Sequence, residues 1–134
     1  MLSEVDSTNP LKILVVEDDC DVRLIINLSL SRVASMDVQE AMSGQSALEM
    51  VEKNKFDVVL LDVMMPDMDG PTTLRALRLI PGGENLPVIF LTAKALPNEI
   101  NRLKNTSALD VITKPFDPMK LGSQIQQILD LRHE

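Results

Sequence analysis

Leu11-Lys12-Ile13-Leu14-Val15-Val16-Glu17-Asp18-Asp19 is the stretch whose reading decides the fold. A short, almost unbroken apolar run that ends in acids is the pattern of a strand covered on both faces of a parallel sheet, where neither side of the pleat meets water. Asp57-Val58-Val59-Leu60-Leu61 and Pro87-Val88-Ile89-Phe90-Leu91 repeat it. Residues 36–41 and 109–113 are shorter or interrupted by polar residues, as suits strands nearer an edge. Between these runs apolar residues recur at helical spacing: Val22, Ile25, Ile26 and Val33; then Ala47, Leu48 and Val51, with Ser43 as N-cap; then 72–80; then Leu96, Ile100 and Leu103; and finally Leu121, Ile125, Ile128 and Leu129. Strand and helix alternate along the chain with short connections. That order predicts an α/β, doubly wound fold, a five-stranded parallel sheet with helices on both faces.

The rest of the sequence bounds the domain and its chemistry. At 134 residues the chain fits one domain with a single core. The Pro81-Gly82-Gly83 breaker reads as a loop within it. Residues 1–10 are polar and unpatterned and read as a loosely ordered tail, 11–131 as the domain, with no output domain after it. Three Phe with no Trp or Tyr leave little on which bases could stack, and a net charge of −7 repels phosphate backbones and anionic lipid. No direct nucleic-acid partner and no membrane contact are therefore expected. No run approaches the roughly 20 apolar residues of a membrane span, and no leader is seen. Cys20 is the single cysteine, so no internal disulfide can form, and a cytoplasmic setting is expected. An inert buried thiol is the expected state of Cys20.

In open parallel sheets, ligands gather at the carboxyl ends of the strands. Glu17, Asp18 and Asp19 follow the first run, Asp62 the third, Thr92 the fourth, and Thr113 and Lys114 the fifth. Carboxylates crowded at one edge raise one another's pKa unless a cation neutralises them. Hard oxygen donors favour magnesium, which uses one or two carboxylates together with phosphate oxygens. With a lysine and a hydroxyl alongside, the set suits phosphoryl transfer, and an aspartate can itself be the nucleophile. Asp19 has the competing reading of an N-cap for the first helix.

Four segments, in order and spacing, resemble the signature segments of response-regulator receiver domains: 15–19, Leu60-Leu61-Asp62-Val63-Met64-Met65-Pro66-Asp67-Met68-Asp69-Gly70, 88–93 and Thr113-Lys114-Pro115-Phe116. The resemblance runs from about Leu11 to about Leu131. It implies the flavodoxin-like (βα)5 receiver fold with strand order 2-1-3-4-5. It implies that Asp62 accepts a phosphoryl group from a histidine kinase, a histidine-phosphotransfer protein or a small acyl phosphate. Glu17, Asp18, Asp62 and the backbone carbonyl of Met64 would hold Mg2+. Lys114 would pair with the phosphoryl oxygens, Thr92 would move to hydrogen-bond one of them, and Ala93, being small, would leave the site open. The Lys114-Pro115 bond would be cis. Gly70 would turn the chain into the third helix, where a residue without Cβ tolerates positive φ.

Two departures stand out. Val111 occupies the place where many receivers carry Tyr or Phe, and a β-branched side chain has no ring to swing. Ser107-Ala108-Leu109-Asp110 replaces the more familiar Gly-Ala-Asp-Asp. The implied function is a phosphorylation-switched signalling receiver that alters partner binding and catalyses only its own phosphorylation and dephosphorylation. The alternative is a receiver-like module acting by constitutive binding without phosphoryl turnover. A haloacid-dehalogenase type of phosphatase would want an aspartate where Met64 stands. There is no Walker-type glycine loop, and an EF-hand fails because its first and twelfth ligand positions would be Met65 and Ala76. Met64, Met65 and Met68 read as core and loop fillers, soft thioethers being poor ligands in a hard site. His133 reads as a tail residue.

Overall fold

The computed structural model describes residues 9–132. Five strands, β1 (Lys12–Val16), β2 (Asp37–Ala41), β3 (Val58–Asp62), β4 (Val88–Thr92) and β5 (Asp110–Thr113), form one sheet in the order β2-β1-β3-β4-β5, and every neighbouring pair is parallel. The helices are α1 (Cys20–Leu28), α2 (Gly44–Lys53), α3 (Gly70–Leu77), α4 (Pro97–Lys104) and α5 (Leu121–Leu131). Fold class and strand order are those expected. The tail at 1–10, apart from Asn9 and Pro10, and His133 lie outside the described residues.

Alternation along the buried strands divides the core in two. Leu14, Val16, Val59, Leu61, Val88 and Phe90 face α2, α3 and α4 through Ala47, Val51, Leu74, Leu77 and Leu103. Ile13, Val15, Leu60, Ile89, Leu91 and Ile112 face α1, the turn that follows it and α5 through Ile26, Leu30, Leu121, Ile125 and Leu129. β3 and β4 are buried at every position, whereas β2 at one edge is exposed at three of five. Each fully buried Leu, Ile or Val is worth roughly 1.5–3 kcal/mol, so the central strands are the rigid part of the molecule.

Several local expectations are corrected. Ile25 and Val33, expected on one helical apolar stripe with Val22 and Ile26, are about half exposed, at 47% each. After Leu28 the helix widens into a π turn at Ser29–Val33, which brings Ser29 and Leu30 inward and rotates Val33 out of the 3.6-residue register. Leu96 caps α4 from outside and is 63% exposed. α3 begins at Gly70, two residues before the expected start, because the Asp69 side chain accepts a hydrogen bond from the Thr72 N–H at 2.9 Å and Pro71 suits the first turn. Ser43 does cap α2, accepting from the Ser46 N–H at 3.1 Å.

Gly70 is required for space and not for backbone conformation. Among the described glycines only Gly82 has positive φ. A Cβ on Gly70 would lie 2.7 Å from the Asp62 carbonyl oxygen and 2.9 Å from the Val63 Cα, both backbone atoms unable to swing aside. Replacing Gly70 by Ala is expected to destabilise the fold by about 1–3 kcal/mol, the usual cost of overpacking, and to disturb the end of β3. Urea unfolding at constant slope checks it; an unchanged midpoint would show that the loop yields freely.

Candidate functional site

Because the strands run in one direction, their carboxyl ends share one edge, and the residues placed there meet. Glu17 directly follows β1, Asp62 closes β3, Thr92 closes β4 and Lys114 directly follows β5. Glu17, Asp62 and Thr92 are all buried, with 2%, 4% and 1% of their surface exposed. The Lys114 ammonium donates to Glu17 Oε1 at 3.2 Å and to Asp62 Oδ1 at 3.3 Å. Both distances exceed the about 2.7–2.9 Å of a strong charge-assisted bond, as expected when one cation is shared by two carboxylates.

Charge is therefore left over. Burial raises the Glu17 carboxyl above its ordinary value of 4.5; a hydrogen bond from the Asp19 N–H opposes the rise, the charge of Asp62 adds to it, and Lys114 partly offsets it. For Lys114, burial lowers the ammonium pKa, but the carboxylates of Asp62 and Glu17 outweigh it and the net shift is upward from 10.5. One lysine holds its own proton firmly without fully neutralising two buried acids. Glu17, Asp18 and Asp62 each offer a carboxylate oxygen, and the three oxygens lie within 4.8 Å of one another. Three hard oxygens around an under-neutralised point are a donor set that fits a divalent cation such as magnesium.

The neighbouring residues sort themselves by geometry. Asp19 is the N-cap of α1, its Oδ1 accepting from the Asp21 and Val22 N–H groups at 2.9 and 3.2 Å, and this fixes the register that leaves Glu17 and Asp18 to the cluster. Asp18 is exposed, facing the open side. No hydrogen bond joins Thr92 to Asp62; the Thr92 Oγ1 accepts from the Lys94 N–H at 3.1 Å, so its own hydroxyl proton remains available. The Lys114-Pro115 bond is cis, as expected. Met64 lies two residues past β3 with its side chain 55% exposed, while Met65 is buried. Cys20 corrects the expectation of a buried thiol: it is exposed, because as first residue of α1 it stands beyond the capped end on the solvent side. Arg23 was missed by sequence reading. Its guanidinium donates to the Glu17 backbone carbonyl at 2.8 Å and to Glu40 Oε1 at 3.0 Å. The available signal was its being the only cation between Lys12 and Arg32.

A family model of the response regulator receiver domain matches residues 13–126. The chain belongs to that family. The receiver is 35% identical over 120 residues to the transcriptional regulatory protein SrrA of Staphylococcus aureus, covering 88% of this chain and 47% of SrrA, so it spans about half the length of the curated relatives it matches. Among solved structures it resembles the chemotaxis protein CheY4 of Vibrio cholerae, with a TM-score of 0.82 and 30% identity over 89% of this chain and 98% of that one. It also resembles the receiver domain of the sensor histidine kinase PA1611 from Pseudomonas aeruginosa, whose structure holds a magnesium ion in the active-site cleft, with a TM-score of 0.80 and 27% identity over 90% and 98% of the two chains. Receivers serve phosphorylation-switched signalling in two-component systems, bind magnesium in the active site and interact with histidine kinases and downstream targets. Among the described residues no helix is long and apolar enough to cross a membrane.

The pKa shifts have signs that can be checked. A carboxyl whose folded pKa is raised costs stability as pH climbs from the unfolded value through the folded one, so Glu17 penalises the metal-free receiver above pH 4.5. Asp69 acts in the opposite sense: hydrogen bonds from Thr72 hold its carboxyl below 3.8, so its contribution is lost only as pH falls beneath that value. Lys114 contributes below 10.5 and loses that contribution as pH rises through its raised folded value. The two acid windows do not overlap. A carboxyl-carbon NMR titration should therefore find the Glu17 midpoint above 4.5 in the metal-free protein and lower in Asp62→Asn, since one of the raising charges is gone. An unmoved midpoint in the variant would mean that the charge of Asp62 does not reach Glu17.

Proposed function

We propose that the receiver accepts a phosphoryl group on Asp62 from a phosphohistidine on a histidine kinase or histidine-phosphotransfer protein, or from a small acyl phosphate, and thereby changes what it binds. The observation that carries this reading is the sharing of Lys114 between the buried carboxylates of Glu17 and Asp62, with Asp18 completing a three-carboxylate cluster. A carboxylate oxygen of Asp62 forms the new bond to phosphorus as the bond from phosphorus to the donor's nitrogen or oxygen breaks, leaving an aspartyl phosphate. Catalysis is positioning and charge stabilisation, since phosphoryl transfer needs little else.

Each residue has a part in this. Magnesium held by Glu17, Asp18, Asp62 and the Met64 carbonyl would neutralise charge on the phosphoryl oxygens. Burial keeps Asp62 on a rigid strand end, so its attacking oxygen is held in place without loop motion. Lys114 is already aimed at Asp62 Oδ1 and can shift to a phosphoryl oxygen bonded there. Thr92, whose Oγ1 is an acceptor for Lys94, has a free proton to donate to another. Ala93 is exposed and small, leaving the approach open. The chain in this reading acts on itself and turns over no other substrate.

Intact-mass analysis after incubation with magnesium and acetyl phosphate tests the assignment. Wild type should gain a labile phosphoryl adduct, and Asp62→Asn should gain none; undiminished labelling of the variant would move the acceptor elsewhere. No adduct on folded wild type, from acetyl phosphate or from a cognate kinase, would favour constitutive binding.

Val111 bears on the output. It packs, half-buried, against the core face that holds Phe90 and Leu103, where a branched aliphatic side chain has few alternative rotamers. Coupling from Thr92 to α4 by an aromatic swing is therefore absent, and the amide shifts that accompany phosphorylation should concentrate at 92–96 and stay small on α4. Large shifts along α4 would show another route of coupling.

A further inference from the structure

The acidic loop of the site is held by contacts outside the carboxylate cluster itself. The Glu17 N–H donates to the Ala41 carbonyl of β2 at 3.1 Å, and its carbonyl accepts from Arg23 Nη1 at 2.8 Å. The peptide units on both sides of Glu17 are thereby fixed, one to the edge strand and one to α1. Arg23 is itself held: its Nε donates to Glu40 Oε1 at 3.0 Å, Asn27 Nδ2 donates to the other Glu40 oxygen, and only 12% of the Arg23 side chain is exposed. The peptide that Arg23 grips joins Glu17 to Asp18, two of the three clustered carboxylates.

We infer that Arg23 is a positioning residue for the metal site, setting the backbone between Glu17 and Asp18 so that both carboxylates point at one cation; this rests on the reading of those two as magnesium ligands. Ligand-orienting contacts of this kind are worth about 10- to 100-fold in metal affinity. The role can be separated from that of a nearby charge by sign. Removing a cation beside an acidic cluster should, by Coulomb's law alone, draw magnesium more tightly. Loss of positioning weakens it.

The experiment compares wild type with Arg23→Ala, Arg23→Lys and, as a control for net charge, Lys104→Ala, whose partner Asp110 lies away from the cluster at the start of β5. Magnesium affinity is measured by NMR titration on proteins shown folded by urea unfolding. Arg23→Ala should bind magnesium about tenfold more weakly, while its phosphorylation rate at saturating magnesium stays within about twofold of wild type. Arg23→Lys, which keeps the charge but lacks the planar fork that spans the Glu17 carbonyl and Glu40, should fall between. In the metal-free protein the Asp18 amide nitrogen, which shares the gripped peptide, should shift in Arg23→Ala and stay in place in Lys104→Ala. Unchanged or tighter magnesium binding by folded Arg23→Ala overturns the inference, as does wild-type affinity in Arg23→Lys should the alanine variant not fold. Wild type that binds no magnesium overturns the metal reading together with this inference, an outcome distinct from a failure of Arg23 alone.

Discussion

Two carboxylates buried side by side, sharing one lysine, are the constraint on which the rest of the structure depends. The effective penalty for removing a single ion from water is several kcal/mol, and here Glu17 and Asp62 stand at the ends of the adjacent strands β1 and β3. Such an arrangement persists only on a scaffold that cannot relax to separate them. The scaffold is the adjacent pair β1 and β3, packed by aliphatic side chains on both faces at the ends that carry the acids, so that moving either acid would open the core. Lys114 relieves part of the repulsion and is delivered by the edge strand β5. The remaining negative charge leaves a donor set that fits a divalent cation.

That dependence explains why so much could be read from the sequence. A strand covered on both faces is apolar along its covered length, so β1 after Lys12, β3 and β4 stand out as nearly unbroken runs, and the polar residues that end them mark the sheet's functional edge. Glu17, Asp62, Thr92 and Lys114 were legible for that reason. Helix boundaries were less so, since they turn on single caps. Asp69 starts α3 early through one hydrogen bond, and nothing in the apolar spacing of 72–80 announces it. Val33 fits a regular helical stripe, and only the π turn at Ser29–Val33, packed through Leu30 and through Gly122 against Ala34, rotates it outward.

Arg23 shows a different limit. Its partners are a backbone carbonyl and a glutamate on the edge strand, 17 residues away, and a contact to a carbonyl leaves no trace in residue type at the accepting position. Gly70 shows a third. A glycine after an aspartate invites an explanation from backbone freedom, whereas the folded chain needs its missing Cβ because the helix start lies against the β3 backbone. Both are facts of close approach between segments, visible only once the chain has folded.

The two flanks of the site are held unequally, and this asymmetry bears on how a change at Asp62 would spread. On the β1 side, Asp19 caps α1, Arg23 grips the acidic loop, and Glu40 ties both to β2. On the β4 side, residues 93–98 are exposed, α4 has no side-chain cap, and Leu103 is its only buried residue. The one buried side-chain polar atom without a hydrogen-bond partner among the described residues, Glu99 Oε1, also lies on α4. Few buried contacts and an unsatisfied polar group mark a segment of low local stability. Charge added at Asp62 would act in both directions, and the softer β4–α4 connection would yield before the carboxylate loop does. With Val111 in place of a ring that could carry such a motion across β5, that connection would be the surface on which a partner reads the proposed change.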